Sequence, residues 1–405
     1  MYSPGQCPCR RPPPDPFVAK YNRNGELLWL KSVLDFRSAL GTTDSAYGVA
    51  TDNDGNIYVT GDTVDTLPGE TNAGGRDAFI AKYDPEGNRL WGHLLGSSRD
   101  DTARGIAVDS EGNAFIVGNT NGGQLLLQPP TVGELFIVKF DTDGNRLWIR
   151  QWGTGGDGAN RDLGRGVALD SEGNAYMTGY LFRVTRPGAI GGDPFAAKFD
   201  PSGNQLWVTQ VPGQSFDQAN SIAVAADGQT IYLTGRTNSN FDLPGFPAQP
   251  IFCCSNPDAF VAQLDGNGNL QWVQNLSSLP SGATDFDDEA FGVTTDANGS
   301  AAFIAGKTEG AMPGETSKGG YDMFIARYES DGSRSWITQL GASLPSTSSG
   351  TDNLWDHAFA ITMDRNGDLF VAGDSVGTFG GTPGGDTDRT DWILLKMNAD
   401  DGSLY

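Results

Sequence analysis

The stretch Asp77-Ala-Phe-Ile-Ala-Lys-Tyr-Asp-Pro-Glu-Gly87-Asn-Arg-Leu-Trp91 decides the fold, because the chain repeats it. It returns as Asp15 to Trp29, Glu134 to Trp148, Asp193 to Trp207, Asp258 to Trp272 and Asp322 to Trp336, with a broken copy from Asp391 to Tyr405. The tryptophans stand 62, 57, 59, 65 and 64 residues apart. A second phrase lies between the copies: Gly105-Ile-Ala-Val-Asp109-Ser-Glu-Gly112-Asn-Ala-Phe-Ile-Val-Gly118-Asn-Thr120. Its other copies end at Gly61, Gly179, Gly235, Gly306 and Gly373. Each phrase is two β-rich runs around an Asp-x-x-Gly-Asn turn, whose Gly and Asn tolerate the positive φ of a tight hairpin. One period therefore supplies four antiparallel strands, and a fixed period of this length marks a repeat architecture.

The runs are apolar on both faces, as in Phe79-Ile80-Ala81 and Ile57-Tyr58-Val59. A sheet covered on both sides needs that pattern. Radial stacking of four-stranded blades meets the need and leaves only short edges. The fold class is all-β, a β-propeller of four-stranded antiparallel blades. In strand order A to D, residues 15–22 and 26–34 supply C and D alone. Five whole blades begin near Ala46, Ala103, Gly164, Ala219 and Ala290, and a sixth near Ala358 stops at Tyr405. This favours a seven-bladed plan with the last blades incomplete, in a chain short by roughly 40 residues, two-thirds of a period. The alternative is a six-bladed closed ring in which the N-terminal strands displace residues 391–405. Residues 1–14 read as a disordered Pro-rich tail, and 15–405 as one propeller domain.

The spaced phrases resemble the SBBP repeat, a bacterial seven-bladed propeller repeat. The resemblance runs from residue 15 to 405, and Leu67-Pro68-Gly69-Glu70-Thr71 and Met312-Pro313-Gly314-Glu315-Thr316 fit the same family's inter-strand loop. Ala225 departs from it at the turn Asp, and Tyr180 at the Gly-x-Thr ending. The resemblance implies a secreted or surface bacterial protein. Composition does not add to that: Met1 to Arg11 lack the apolar core of a signal peptide, so the protein is either not exported or lacks its true N-terminus.

The net charge of −23 argues against nucleic acid and anionic membranes, which are bound by Lys/Arg clusters. No stretch approaches the ~18 apolar residues of a membrane span. Cys7, Cys9, Cys253 and Cys254 are too few and too poorly spaced to staple 405 residues.

Chemistry-bearing constellations are sparse. A calcium loop needs alternating oxygens with glycine sixth, whereas Gly55 and Gly144 come fourth in the Asp52 and Asp141 turns. Asp265, Asn267 and Asn269 alternate, but Leu270 and Leu276 hold the glycine and closing positions. No cofactor is implied. Weak Ca2+ binding is confined to the acidic clusters Asp285/Asp287/Asp288/Glu289 and Asp386/Asp388/Asp391. Gly306-Lys307-Thr308 lacks a phosphate loop's leading glycine and occupies a strand end. His93, on an outer strand, and His357, in a loop, sit at different repeat positions and form no catalytic set.

Antiparallel order puts the short A–B and C–D hairpins on one face and the long B–C and D–A loops on the other. Insertions collected on one face mark a binding side. The candidate contacts are Phe241, Phe246, Ile251 and Phe252 in the longest loop, and Trp355, which falls outside the tryptophan slot. These point to a non-enzymatic binding or surface-display scaffold for a protein or glycan partner. The alternative is a propeller enzyme, a cation-assisted hydrolase or lyase with carboxylates at the channel mouth.

Overall fold

A computed structural model of the chain describes residues 16–22, 24–33, 44–122, 125, 134–153, 162–183, 191–211, 213, 216–238, 257–278, 286–342, 355–376 and 390–405. The tail expected at 1–14 lies outside them. The chain forms two compact units, Met1–Leu147 and Trp148–Tyr405.

The first unit holds a two-stranded hairpin, β1 (Phe17–Tyr21) and β2 (Leu27–Ser32), and the four-stranded sheet β3 (Ser45–Thr51), β4 (Ile57–Thr63), β5 (Asp77–Tyr83) and β6 (Arg89–Leu95). Next come β7 (Asp101–Val108), β8 (Ala114–Thr120) and β9 (Leu135–Phe140), with β10 (Arg146–Trp152) as the fourth strand, in which the chain passes to the second unit. The second unit holds β11 (Leu163–Leu169) to β14 (Gln205–Gln210) by way of β12 (Ala175–Arg183) and β13 (Gly191–Phe199). It continues with β15 (Asp217–Val224), β16 (Thr230–Thr237), β17 (Asp258–Asp265) and β18 (Leu270–Leu276). Then follow β19 (Asp288–Thr295), β20 (Ala301–Thr308), β21 (Asp322–Glu329) and β22 (Arg334–Leu340), and last β23 (Asp356–Met363), β24 (Asp368–Val376) and β25 (Thr390–Asn398). Each sheet is an antiparallel meander in chain order.

Among the described residues five sheets have four strands and β23–β24–β25 has three. These are six propeller blades, the count of the alternative plan, and the seven-bladed count is corrected accordingly. Among the described residues the β1–β2 hairpin has no inner pair and so falls short of a blade, and its Leu27, Leu28 and Leu30 are exposed. The alternative also needs correcting in one detail. Residues 391–405 are not displaced, since β25 pairs along β24 from Asp368↔Asn398 to Val376↔Thr390.

The turns form as their chemistry dictates. Asp52 Oδ1 accepts the N–H groups of Asp54 (3.1 Å) and Asn56 (2.9 Å), Oδ2 accepts the Asn56 amide (2.8 Å), and Gly55 takes φ 82°. Asp84, Asp109, Asp141, Asp170, Asp200 and Asp265 repeat the pattern. These hydrogen bonds hold the Asp141 and Asp200 carboxyls below the usual range. Their oxygens serve their own turns, as hairpin chemistry requires.

The tryptophan slot joins consecutive blades. Each indole N–H donates to a carbonyl in the next C–D turn: Trp29 to Pro85 (3.1 Å) and Trp91 to Thr142 (3.0 Å) in the first unit. In the second, Trp148 donates to Pro201 (3.0 Å), Trp207 to Gly266 (3.2 Å), Trp272 to Ser330 (2.9 Å) and Trp336 to Ala399 (3.1 Å). The slot is packing, as its fixed place in the repeat implies.

A buried ion pair supports the middle strands. Lys82 lies 3.6 Å from Asp52 and 4.8 Å from the Tyr58 ring centroid. Lys139–Asp109 over Phe115 and Lys198–Asp170 over Tyr176 repeat it. Where the turn Asp becomes Ala225, the lysine slot becomes Gln263, whose amide donates to the Tyr232 hydroxyl (3.0 Å). Both charges leave together, because either alone would be buried without its partner.

Candidate functional site

The first strand of each blade carries a β-bulge at one slot. In β3 the register passes from Ala46↔Gly61 to Gly48↔Thr60, leaving Tyr47 unpaired. The same step skips Arg104 in β7, Arg165 in β11, Asn220 in β15, Phe291 in β19 and Phe359 in β23. The glycine that ends the second sequence phrase makes the bulge possible. A Cβ on Gly235 would collide with the backbone carbonyl oxygen of Gln218, and one on Gly306 with that of Glu289. A bulge re-aims one side chain out of the alternation. The frame is constant, small-x-small, while x is Tyr, Arg, Asn or Phe.

In the second unit the skipped residues join two sets of contacts. One is polar. Arg165 Nη2 donates to Gln218 Oε1 (3.3 Å), and the Gln218 amide donates to Glu289 Oε1 (3.2 Å). Asn220 donates to Glu289 Oε1 (3.0 Å) and to the Ala290 carbonyl (2.9 Å). Arg236 faces Glu289 at 3.9 Å.

The other set is aromatic. Phe291 and Phe359 are 5.4 Å apart, His357 and Phe359 5.3 Å, Tyr321 and His357 5.9 Å, and Tyr321 and Trp355 6.5 Å between ring centroids. His357 Nδ1 lies 2.8 Å from Asp374 Oδ1, and Asp287 Oδ2 receives both Lys307 Nζ (3.0 Å) and the Tyr321 hydroxyl (3.2 Å). Burial, and then the Asp287 charge, pushes the Tyr321 hydroxyl up to about 12. His357 lies in β23 and not in a loop, because pairing extends to His357↔Asp374 beyond the expected start at Ala358.

Each blade buries aspartates that hold loop backbone. Asp288 Oδ2 accepts the Ser278 N–H (2.6 Å), Asp322 Oδ2 the Lys318 N–H (2.7 Å) and Asp356 Oδ2 the Ala342 N–H (2.7 Å). Burial raises Asp288 to about 7, and Asp322 and, in the first unit, Asp101 to about 6. All four carboxylates are fully buried.

The described members of the acidic cluster at 285–289 are each engaged by other partners. Asp287 pairs with Lys307, Asp288 caps Ser278, and Glu289 binds Gln218 and Asn220. Asp285, Asp386 and Asp388 lie outside the described residues, as do Phe241, Phe246, Ile251, Phe252 and the four cysteines. Among the described residues there is no group of three or more His, Cys, Asp or Glu that could hold a metal, and no helix long and apolar enough to cross a membrane. His93 lies in β6, 2.8 Å from Glu70 and stacked on Phe140 at 5.9 Å, a packing role. Of the expected contacts the structure describes Trp355, half exposed beside Tyr321. The bulged slots were missed by a reading that looked for long loops. Their signal was the one large variable residue between small neighbours in every copy of the second phrase.

Residues 38–64, 90–125 and 147–180 match the family model described as SBBP, beta-propeller repeat. Each segment contains one bulged slot, Tyr47, Arg104 or Arg165. Regulatory protein FlaEY of Caulobacter vibrioides is 24% identical over 329 residues, 72% of this chain and 33% of that protein. An uncharacterized WD repeat-containing protein of Acanthamoeba polyphaga mimivirus is 26% identical over 264 residues, 51% of this chain and 19% of that protein. The chain thus spans a third or less of the length of these curated relatives. A solved structure from Lactobacillus plantarum aligns with a TM-score of 0.48 at 11% identity, covering 94% of this chain and 98% of that one.

Proposed function

We propose that the chain is a non-enzymatic binding scaffold, displayed outside the cell or on its surface, that takes a protein or glycan partner on the face of the long B–C and D–A loops. One observation carries the reading: a bulged slot with a constant backbone that presents Arg165, Asn220, Phe291 and Phe359 in successive blades of the second unit. A frame that repeats while its re-aimed residues differ separates the task of folding from the task of recognition. The buried aspartates support binding over hydrolysis, since each carboxylate holds loop backbone and is shut away from a substrate.

The test is capture on glycan and protein arrays, with and without calcium, by the wild-type chain and by Arg165→Ala, Asn220→Ala, Phe291→Ala and Phe359→Ala. A partner retained by the wild type and lost by slot variants of unchanged melting temperature supports the reading. Capture that ignores all four substitutions overturns it.

A further inference from the structure

We propose that the aromatic end of the second unit's rim is a saccharide platform, on which Trp355, Tyr321, His357 and Phe359 take the apolar face of a neutral sugar while Asp374, Asp287 and Lys307 meet its hydroxyls. This deepens the binding reading and rests on it.

Trp355 is 50% exposed and Phe359 42% exposed, and Tyr321, His357 and Phe291 join them into one strip of rings. Packing into a core does not account for two large rings left half in water, since burying an aromatic side chain is worth kilocalories.

The exposure is held in place. Trp355 bridges Tyr321 backbone to backbone, its carbonyl accepts the Val376 N–H (3.2 Å), and the Asp356 N–H donates to the Tyr321 carbonyl (2.8 Å). Phe359 is fixed by the bulge between Ala358 and Ala360. Rings presented on anchored backbone lose little conformational entropy on binding.

The polar groups beside the strip favour a sugar over other occupants. They come as facing pairs, His357 with Asp374 and Lys307 with Asp287, and Lys307 also lies 4.3 Å from the Tyr321 ring centroid. A phosphate or a basic peptide needs an excess of one sign. Hydroxyl groups donate and accept at once, so they match an interleaved array of donors and acceptors, while the C–H face of the sugar lies on the rings.

The test titrates the full chain with tetrasaccharides of glucose, N-acetylglucosamine, mannose and galactose, followed by calorimetry and tryptophan fluorescence. Saturable binding of at least one is expected. Trp355→Ala and Phe359→Ala should each weaken it by about tenfold or more with melting unchanged. Leu206→Ala, which removes a 53% exposed side chain on β14, should leave the affinity as it is. No saturable binding of any of the four, or binding indifferent to Trp355→Ala, overturns the platform. If a defined protein from the array is lost by Phe359→Ala while no tetrasaccharide binds, the scaffold reading stands and the sugar does not.

Discussion

The indole N–H of Trp272 donates to the carbonyl of Ser330 at 2.9 Å, tying the fourth strand of one blade to the outer turn of the next. Trp272 is also packed in the cluster with Tyr232 and Tyr328. The hydrogen bond and the ring are separable. Trp272→Phe should cost about 1 kcal/mol, the value of one hydrogen bond. Trp272→Ala should cost about 3–5 kcal/mol, because it also opens a cavity. Urea unfolding measures both, and equal losses would mean that the hydrogen bond carries the junction.

Ala225 and Gln263 stand where other blades have a buried Asp–Lys pair. Gln263→Lys alone places an ammonium beside Tyr232 without its turn carboxylate and should be strongly destabilising. Adding Ala225→Asp should recover about 1–3 kcal/mol as coupling energy in a double-mutant cycle. Additive effects would show that the two slots do not act as a pair.

Gly235 lies where any side chain would meet the Gln218 carbonyl oxygen. Gly235→Ala should therefore destabilise by about 2 kcal/mol or more, through strain at the bulge. It should also impair whatever Asn220 binds, because straightening the strand moves that residue into the alternation. Calorimetry reports the first effect and partner capture the second.

Burial raises Asp288 to about 7, and Asp101 and Asp322 to about 6, against about 3.9 in an unfolded chain. Between those limits the folded state binds more protons than the unfolded one, so this contribution to stability is lost as pH rises through 6 to 7. The turn carboxyls of Asp141 and Asp200 are lowered and act in the opposite sense, losing their contribution as pH falls below the usual carboxylate range. The melting temperature should be highest near pH 4 and fall by a few degrees by about pH 7. Asp288→Asn should flatten the high-pH side. A melting temperature that climbs steadily from pH 5 to 8 would show that these carboxyls are ionised in the folded state.

Strands, turns and blade period were legible because each is written within a few residues. The Asp52 to Asn56 hairpin closes on its own side chains, and the two-sided apolar run at Ile57–Thr63 is written in consecutive residues. The tryptophan slot was legible as packing, although its carbonyl partner was not. The blade count was misjudged. The orphan pair at 15–22 and 26–34 implied a seventh blade, whereas β1–β2 is a hairpin without an inner pair among the described residues.

By itself, the sequence determined an all-β repeat with a constant frame, since turn chemistry and strand patterning act over spans shorter than one hairpin. Tertiary structure decided the site. A bulge exists only relative to the strand it pairs with, so Asn220 and Phe359 look like ordinary strand residues until Gly235 and Gly373 are set opposite their neighbours. The contacts that follow, such as Asn220 to Glu289 across 69 residues, depend on how one blade stacks on the next, which no local pattern encodes.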